Sequence, residues 1–149
     1  MSGATRPQAP NPAGYSGTPL PKKLGIKPGH RVWFTNAPDS FAATLGELPE
    51  DVRLAEAGET ALDLVIAFAG SEAELQEGFS RWAGAITRAG TLWISWPKKA
   101  SGVRTDVTED VVRKVALEHG MVDVKVAAID ATWSALKIVF RLKDRPQVG

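Results

Sequence analysis

Polar, basic and aromatic side chains follow the apolar runs of this 149-residue chain at the points where those runs end. The run TLWISW leads into the basic turn PKKASG, and the reversal DATW separates the last two apolar runs. Lysines neutralise negative charge, and indole rings offer flat apolar faces. We predict that an anionic, partly flat ligand, such as a nucleotide-like molecule or a carboxylated metabolite, binds residues from these ends: Asn36, Asp39, Trp96, Lys98, Lys99, Ser101, Asp130 and Trp133.

The same residues also have a purely structural interpretation. Lys98 and Lys99 would then form a solvated turn, and Trp96 and Trp133 would be half-buried packing residues at the edge of a sheet. Tryptophan is commonly half-buried because of its size, and paired lysines are common in surface loops. The sequence leaves both interpretations open.

The composition excludes several familiar kinds of active site. The chain has no cysteine, which removes disulfides and thiolate chemistry, and His30 and His119 lie far apart in sequence. Asp39, Asp106 and Asp130 have no spacing that fixes a catalytic pair, and no P-loop, H-E-x-x-H or G-x-S-x-G motif is present. We therefore predict no metal and no cofactor, assign no catalytic residue, and favour a protein that is not an enzyme.

The overall charge is close to neutral. Lysine and arginine number 18 against 17 acidic residues, which gives a net charge of +1, so general attraction to nucleic acid or to membranes is not expected. No run approaches the roughly 20 apolar residues of a membrane span, and the start lacks the apolar middle of a signal peptide. A cytoplasmic protein is expected.

The apolar pattern predicts the elements that would position the candidate residues. Six segments are typical of strands, the second of them weakly: HRVWFTNAP, DVRLAEA, LDLVIAF, TLWISW, MVDVKVAAI and SALKIVFRL. Helices are predicted over FAATL, from the capping box of Ser71 and Glu74 to Gly90, and from Thr108 through His119. The last reversal is too short for a crossover, so the last two strands must be antiparallel.

This order predicts an α/β protein. Because helices connect the earlier strands, right-handed crossovers would place helices on both faces of a mostly parallel sheet that ends in an antiparallel hairpin. We predict a single three-layer Rossmann-like domain over residues 14–143, with a disordered N-terminal tail over 1–13 and a C-terminal tail over 144–149.

The segment GYSGTPLPKKLGIKPG is expected to form a strap that contains one short helical turn. Tyr15, Leu20 and Ile26 would attach it to the body, and Lys22 and Lys23 would form its solvent face. Alternatively, the strap covers a binding site.

Ligands of open parallel sheets bind beyond the carboxyl ends of the strands, near the point where the strand order reverses. Gly70 and Ser71, which join the central strand to its helix, would add the free backbone N–H groups of a helix N-terminus. Two tryptophans, two lysines and several small polar residues are therefore expected to converge on one edge.

The order of elements resembles the Rossmann-like fold of S-adenosylmethionine-dependent methyltransferases. LGIKPGHRVWF is similar to their lead into the first strand, LDLVIAF to their fourth strand and AGTLWISWPK to their fifth. That family has a glycine-rich turn after its first strand, whereas this chain has Asn36, Ala37 and Pro38 there. The third strand is absent, and Glu56 is the residue that could match the family's ribose-binding acid.

A longer resemblance is to a family of small bacterial proteins that is defined as a domain of unknown function. The segments that carry it are Gly14–Gly29, Trp96–Arg113 and Val122–Arg141. This resemblance implies the fold and a bacterial source, and it implies no activity.

Three functions follow, in order of preference. The first is a non-catalytic or regulatory module that binds an anionic small molecule or a protein partner on a degenerate methyltransferase-like fold. The second is a small-molecule enzyme, such as a divergent transferase that uses Lys98 or Lys99 electrostatically. The third is weak binding of nucleic acid through Lys22, Lys23, Lys98, Lys99 and Arg104, against which the near-neutral charge argues.

Overall fold

The computed structural model of the protein describes residues 18–144. Helices and strands alternate along it in the predicted order. The helices are α1 (Leu20–Lys23), α2 (Phe41–Leu45), α3 (Glu72–Ala85) and α4 (Glu109–Glu118), and short 3₁₀ turns cover Lys99–Ser101 and Leu142–Asp144. The strands are β1 (Arg31–Thr35), β2 (Arg53–Leu54), β3 (Leu62–Phe68), β4 (Ile86–Pro97), β5 (Met121–Ala128) and β6 (Trp133–Phe140).

All six of these strands form one sheet in the order β2-β1-β3-β4-β6-β5. The pairs β1–β2, β1–β3 and β3–β4 are parallel, whereas β6 is antiparallel to both β4 and β5. The predicted fold class, a mostly parallel sheet that ends in an antiparallel hairpin, is confirmed. β3 lies between two parallel neighbours and is buried on both faces, which explains its unbroken apolar sequence.

Helices cover the two faces of the sheet and give two separate apolar clusters. On the α3/α4 face, α3 and α4 pack on residues such as Val65, Leu92 and Ile138. On the α1/α2 face, the two short helices pack on residues such as Ile66 and Trp93. The architecture is therefore three-layered, and a side chain of the sheet belongs to one face or the other.

The two long helices begin at the predicted caps. The Ser71 hydroxyl accepts a hydrogen bond from the Glu74 N–H at 3.2 Å, and the Thr108 hydroxyl accepts one from the Val111 N–H at 3.2 Å. The Glu74 carboxylate in turn accepts from the Gly70 N–H at 2.7 Å, one residue before the position that the capping box predicts. At the other end of α4, His119 is the C-cap.

The predicted end of α3 at Gly90 is wrong. The helix ends at Ala85, and the chain is extended from Ile86, which pairs with Leu62. The register then shifts, so that the next paired residue of β4 is Thr91. Glycine suits position 90, because a Cβ there would lie 3.0 Å from the Ile86 Cβ and 3.1 Å from the carbonyl oxygens of Leu62 and Asp63, so these neighbours would have to move by a few tenths of an ångström.

The sequence of β5 alternates between apolar and polar residues from Val122 to Val126, but its pairing with β6 is irregular. The register of β5 on β6 shifts between Asp123 and Lys125, which leaves Val124 between them as an extra residue. Val124 and Val126 are consequently 53% and 45% exposed. A bulge and a lysine on an edge strand are features that discourage pairing with another sheet.

The N-terminal segment packs against the sheet as predicted from Leu20 onward. Leu20 and Ile26 are buried on the α1/α2 face. The Trp93 indole N–H donates a buried hydrogen bond of 2.9 Å to the Leu24 carbonyl, which fastens the end of α1 to the middle of β4. Tyr15 and both predicted tails, apart from Asp144, lie outside the described residues, so the domain boundaries stay predictions.

Candidate functional site

The strand order reverses between β1 and β3, because β1 connects to β2 on one side and β3 leads to β4 on the other. The carboxyl ends of β1, β3 and β4 meet at this edge of the sheet. It is the place where ligands of such sheets bind. The candidate residues follow these strands, and the structure shows which of them meet.

The exit of β4 lies against the turn between β5 and β6, as predicted. The Lys98 N–H donates to the Thr132 carbonyl at 2.8 Å. One carboxylate oxygen of Asp130 accepts from the N–H groups of Thr132 and Trp133, both at 2.8 Å. Asp130 therefore closes the hairpin turn, and the turn holds Lys98 in place.

Ser101 has a structural role within the turn after β4. Its hydroxyl donates to the Lys98 carbonyl at 2.7 Å and accepts from the Val103 N–H at 3.1 Å. Lys99 is exposed in the same turn. These bonds fix the backbone that carries Lys98.

The two tryptophans do not converge. In the β4–β6 pair Trp96 lies opposite Ser134, and Trp133 lies opposite Pro97. Because neighbouring residues of a strand point to opposite faces, the two indoles lie on opposite sides of the sheet. Trp96 is 5% exposed in the cluster of the α3/α4 face, whereas Trp133 packs at the margin of the α1/α2 face.

A row of aromatic rings fills the α1/α2 side of this edge. Phe41 contacts Phe34 and Phe68, and Phe68 contacts Trp133, with ring centroids 5.0–5.2 Å apart and edge-to-face geometry. The row runs from the end of β1 across the end of β3 to the hairpin. The α1/α2 face beside the strand reversal is therefore packed with aromatic rings of this chain.

Asn36 and Asp39 lie in the turn after β1 and are exposed. Asn36 has a φ of 61°, a left-handed conformation that asparagine tolerates better than most residues. The turn passes beside the aromatic row, because Phe34 precedes it and Phe41 follows it.

The N-terminus of α3 does not offer the free donors that the sequence predicted. The Asp106 carboxylate accepts from the Glu72 N–H at 2.7 Å, and the Ser71 and Glu74 side chains engage two more N–H groups. Thr105 donates to the Gly70 carbonyl at 2.7 Å. The segment before α4 thus caps α3 and takes donors that an anion would need.

At the hairpin end of the edge, Lys23 is within electrostatic range of two lysines from other elements, Lys98 and Lys125. The Lys23 ammonium, on α1, donates to the Ala128 carbonyl at 3.1 Å. Burial lowers the pKa of Lys23, and the positive charges of Lys98 and Lys125 lower it further. Among residues 18–144, none of the three has a carboxylate within 4.0 Å. We call Lys23, Lys98 and Lys125 the lysine cluster.

The lysine cluster corrects the prediction for Lys22 and Lys23, and it adds Lys23 and Lys125 to the residues predicted for the site. Lys22 is exposed, but Lys23 is half-buried and bonded across the fold, so the two lysines do not share one solvent face. Lys23 lies three residues after the buried Leu20, at the border of the apolar stripe, which is the only sequence signal for it. No sequence pattern indicated Lys125 as a site residue, because its position depends on the bulge in β5.

Glu56 has no ion pair within residues 18–144 and is exposed. A neighbouring acid, Glu59, is the one that forms ion pairs: it accepts from Arg53 at 2.9 Å and from Arg31 at 3.4 Å, which are the first residues of β2 and β1. Glu59 also accepts from the Glu56 N–H at 2.8 Å. That backbone hydrogen bond, followed by the bond to Arg53, lowers the pKa of Glu59 below its usual 4.5.

A carboxylate with a lowered pKa stabilises the fold above its ordinary pKa and loses that contribution as the pH falls through the folded-state value. Below pH 4.5 the free energy of unfolding of the wild type should therefore decrease more steeply than that of Glu59→Gln. Urea unfolding between neutral and acidic pH measures this difference. Equal slopes for the wild type and Glu59→Gln would contradict the role of Glu59.

The described part of the chain has no group of three or more His, Asp or Glu side chains that could hold a metal ion. It also contains no helix that is long and apolar enough to cross a membrane.

Solved structures that resemble this chain include several methyltransferases. A SAM-dependent methyltransferase from Aquifex aeolicus has a TM-score of 0.52 and 12% identity, over 78% of this chain and 85% of that one. A putative methyltransferase from Thermoplasma acidophilum has a TM-score of 0.55 and 10% identity, over 89% of this chain and 79% of that one. Magnesium protoporphyrin IX methyltransferase from Synechocystis PCC 6803, with bound SAM, has a TM-score of 0.52 and 14% identity, over 82% and 74%.

No family model matches the chain, and no curated protein matches its sequence. Identities of 10–14% establish the fold alone. The chain therefore has a methyltransferase-like Rossmann fold, as its sequence pattern indicated.

Proposed function

We propose that the protein is a non-catalytic module that binds an anionic small molecule at the carboxyl edge of its sheet, through Lys23, Lys98 and Lys125. The observation that carries this proposal is the hydrogen bond of the Lys23 ammonium to the Ala128 carbonyl beside the hairpin, where Lys98 and Lys125 add positive charge. Among the described residues, no carboxylate lies within 4.0 Å of these three lysines. Like charges held together cost free energy, and a bound anion would offset that cost. Trp133 and the backbone of the hairpin turn form the neighbouring surface.

Backbone contacts fix the Lys23 side chain and the main chain of Lys98. Lys23 is held by the Ala128 carbonyl, and α1 is fastened by the Trp93–Leu24 bond. Lys98 is held by the Thr132 carbonyl. Such a preorganised arrangement loses little conformational entropy when an anion binds.

S-adenosylmethionine is the cofactor that the fold implies, and the residues present do not fit it. The turn after β1 has Asn36 and Pro38 in place of glycines, so its backbone cannot approach a ligand as closely. The Phe41 ring packs on Phe34 in β1 and on Phe68 at the end of β3, so bulky apolar side chains lie beside the strand reversal. These two observations support a module without methyl transfer, and no reaction step is assigned.

Isothermal titration calorimetry with the full chain tests the proposal. Inorganic pyrophosphate and ATP should bind, with an affinity that falls as salt is added. S-adenosylmethionine, which carries a carboxylate but also two positive groups, should produce no saturable heat. Micromolar binding of S-adenosylmethionine would contradict the non-catalytic form of the proposal and favour a transferase. A lack of binding by both anions would contradict the site itself.

A further inference from the structure

The loop that joins β2 to β3, residues 55–61, contains no helix, so it leaves part of the sheet uncovered beside β1. A crevice of about 270 Å³ remains between this loop and the carboxyl-terminal half of α3. Its polar lining consists of Glu59 and Thr60 from the loop, Ser80 and Arg81 from α3, and Trp33 from β1. Because β3 and β4 begin just after these two walls, the crevice lies at the amino edge of the sheet, opposite the carboxyl edge that holds the lysine cluster.

The indole N–H of Trp33 is a donor without an acceptor in the described part of the chain. Trp33 is 6% exposed, and its side chain makes no hydrogen bond within residues 18–144. Two other unpartnered side-chain atoms, Trp82 Nε1 and Ser95 Oγ, are shut off from solvent, whereas Trp33 Nε1 is not. Since Trp33 lines the crevice, its N–H is accessible to a molecule that enters there.

The two walls add further donors to the crevice. Arg81 is exposed on α3 and has no carboxylate within 4.0 Å among residues 18–144. The hydroxyls of Thr60 and Ser80, which lie on opposite walls, have no hydrogen-bond partner among the same residues. A guanidinium, two hydroxyls and an indole N–H can all donate, so the crevice suits an acceptor.

Glu59 is the acid of the crevice, and its charge is already compensated. Its Oε1 accepts from Arg31 and Arg53, and its Oε2 accepts from the Glu56 N–H at 2.8 Å. Two positive partners therefore face one carboxylate. The charge of Arg81 is left for a ligand, and Glu59 opposes an anion only weakly.

We propose that this crevice is a second binding site, which takes a small monocarboxylic acid. The carboxylate accepts from the Arg81 guanidinium, whose paired N–H groups match its geometry, and from the Trp33 indole N–H. Thr60 and Ser80 supply the remaining donors. One guanidinium with neutral donors balances a single negative charge, which favours a carboxylate over a phosphate ester.

The size of the crevice also restricts the ligand. Pockets for drug-sized molecules measure roughly 300–1,000 Å³, and this crevice, at about 270 Å³, is smaller. A nucleotide would not fit. The site is independent of the lysine cluster in both position and ligand.

NMR titration of the full, ¹⁵N-labelled chain with benzoate tests the proposal, because each of the five tryptophans has its own indole N–H signal. Trp33→Phe and Trp133→Phe identify the signals of these two residues. The Trp33 signal should move downfield and saturate with benzoate, because a carboxylate accepts from that N–H. Benzamide, which has the same shape but no charge, should leave the signal in place.

Arg81→Gln and Arg104→Gln are matched variants, because each removes one positive charge from an exposed arginine. Arg104 lies in the loop before α4 and does not line the crevice. Arg81→Gln should weaken benzoate binding by about tenfold, the loss expected for one charge-assisted contact. Arg104→Gln should bind as the wild type does.

Three results would overturn the crevice site. They are a Trp33 signal that benzoate does not move, an equal movement with benzamide, and equal affinities for Arg81→Gln and Arg104→Gln. Benzoate bound only at the lysine cluster would move the Trp133 signal and not the Trp33 signal, which is the first of these results. None of them bears on the binding of pyrophosphate at the carboxyl edge, so the two proposals can fail separately.

Discussion

Replacement of Gly78 by alanine is expected to lower the free energy of unfolding by about 2 kcal/mol, although alanine is the better helix former. A Cβ on residue 78 would lie 2.3 Å from Cζ2 of Trp82, one turn further along α3. The Trp82 ring is only 1% exposed and cannot move without displacing the core of the α3/α4 face. The gain in helix propensity is about 1 kcal/mol, and the cost of overpacking exceeds it.

Gly84→Ala is the matched control for this prediction. Gly84 is in the same helix, but a Cβ there meets no atom within 4 Å. The Gly84→Ala variant should raise the free energy of unfolding by up to about 1 kcal/mol through its higher helix propensity alone. Urea unfolding of both variants measures the two effects, and a Gly78→Ala variant as stable as the wild type would contradict the packing described for Trp82.

Trp93→Phe is expected to cost at least about 2 kcal/mol, because it removes the buried partner of the Leu24 carbonyl and leaves a small cavity. Trp93 is fully buried in β4, and its indole N–H reaches across the α1/α2 face to that carbonyl at 2.9 Å. Loss of this bond should also loosen α1. Amide hydrogen exchange over residues 20–26 should accelerate more than the global loss of stability explains.

Trp33→Phe separates the hydrogen bond from the change in volume. Trp33 is 6% exposed in β1, and its indole N–H has no hydrogen-bond partner among residues 18–144. The Trp33→Phe variant should lose less free energy of unfolding than Trp93→Phe, and it should leave the rate of amide hydrogen exchange in α1 unchanged. Equal losses in the two variants would mean that the bond to Leu24 contributes little.

The order and type of the elements could be predicted because local signals determine them. The apolar run of β3, the capping residues Ser71 and Thr108 and the short reversal before β6 each act within a few residues of sequence. The end of α3 could not be predicted. The helical spacing continues to Ile86, but pairing of Ile86 with Leu62, which is distant in sequence, extends the chain there.

The site could be predicted only as a list of strand ends. That the exit of β4 and the hairpin turn would share one edge followed from topology, and in the structure Lys98 contacts Thr132 there. The faces of Trp96 and Trp133 depend on the register of β4 on β6, and a shift of one residue would exchange them. Lys23 and Lys125 come together only through packing between elements about 100 residues apart, which no local pattern records.

The most direct test of the lysine cluster is the affinity for pyrophosphate of single charge-removing variants, measured by calorimetry at one ionic strength. Lys98→Gln and Lys125→Gln should each weaken binding by about tenfold, the loss expected for one charged contact of about 1.4 kcal/mol. Lys114→Gln, on the exposed side of α4 and the opposite face of the sheet, changes the net charge equally and should bind as the wild type does. Equal affinities for Lys98→Gln, Lys125→Gln and Lys114→Gln would contradict an anion site at the carboxyl edge.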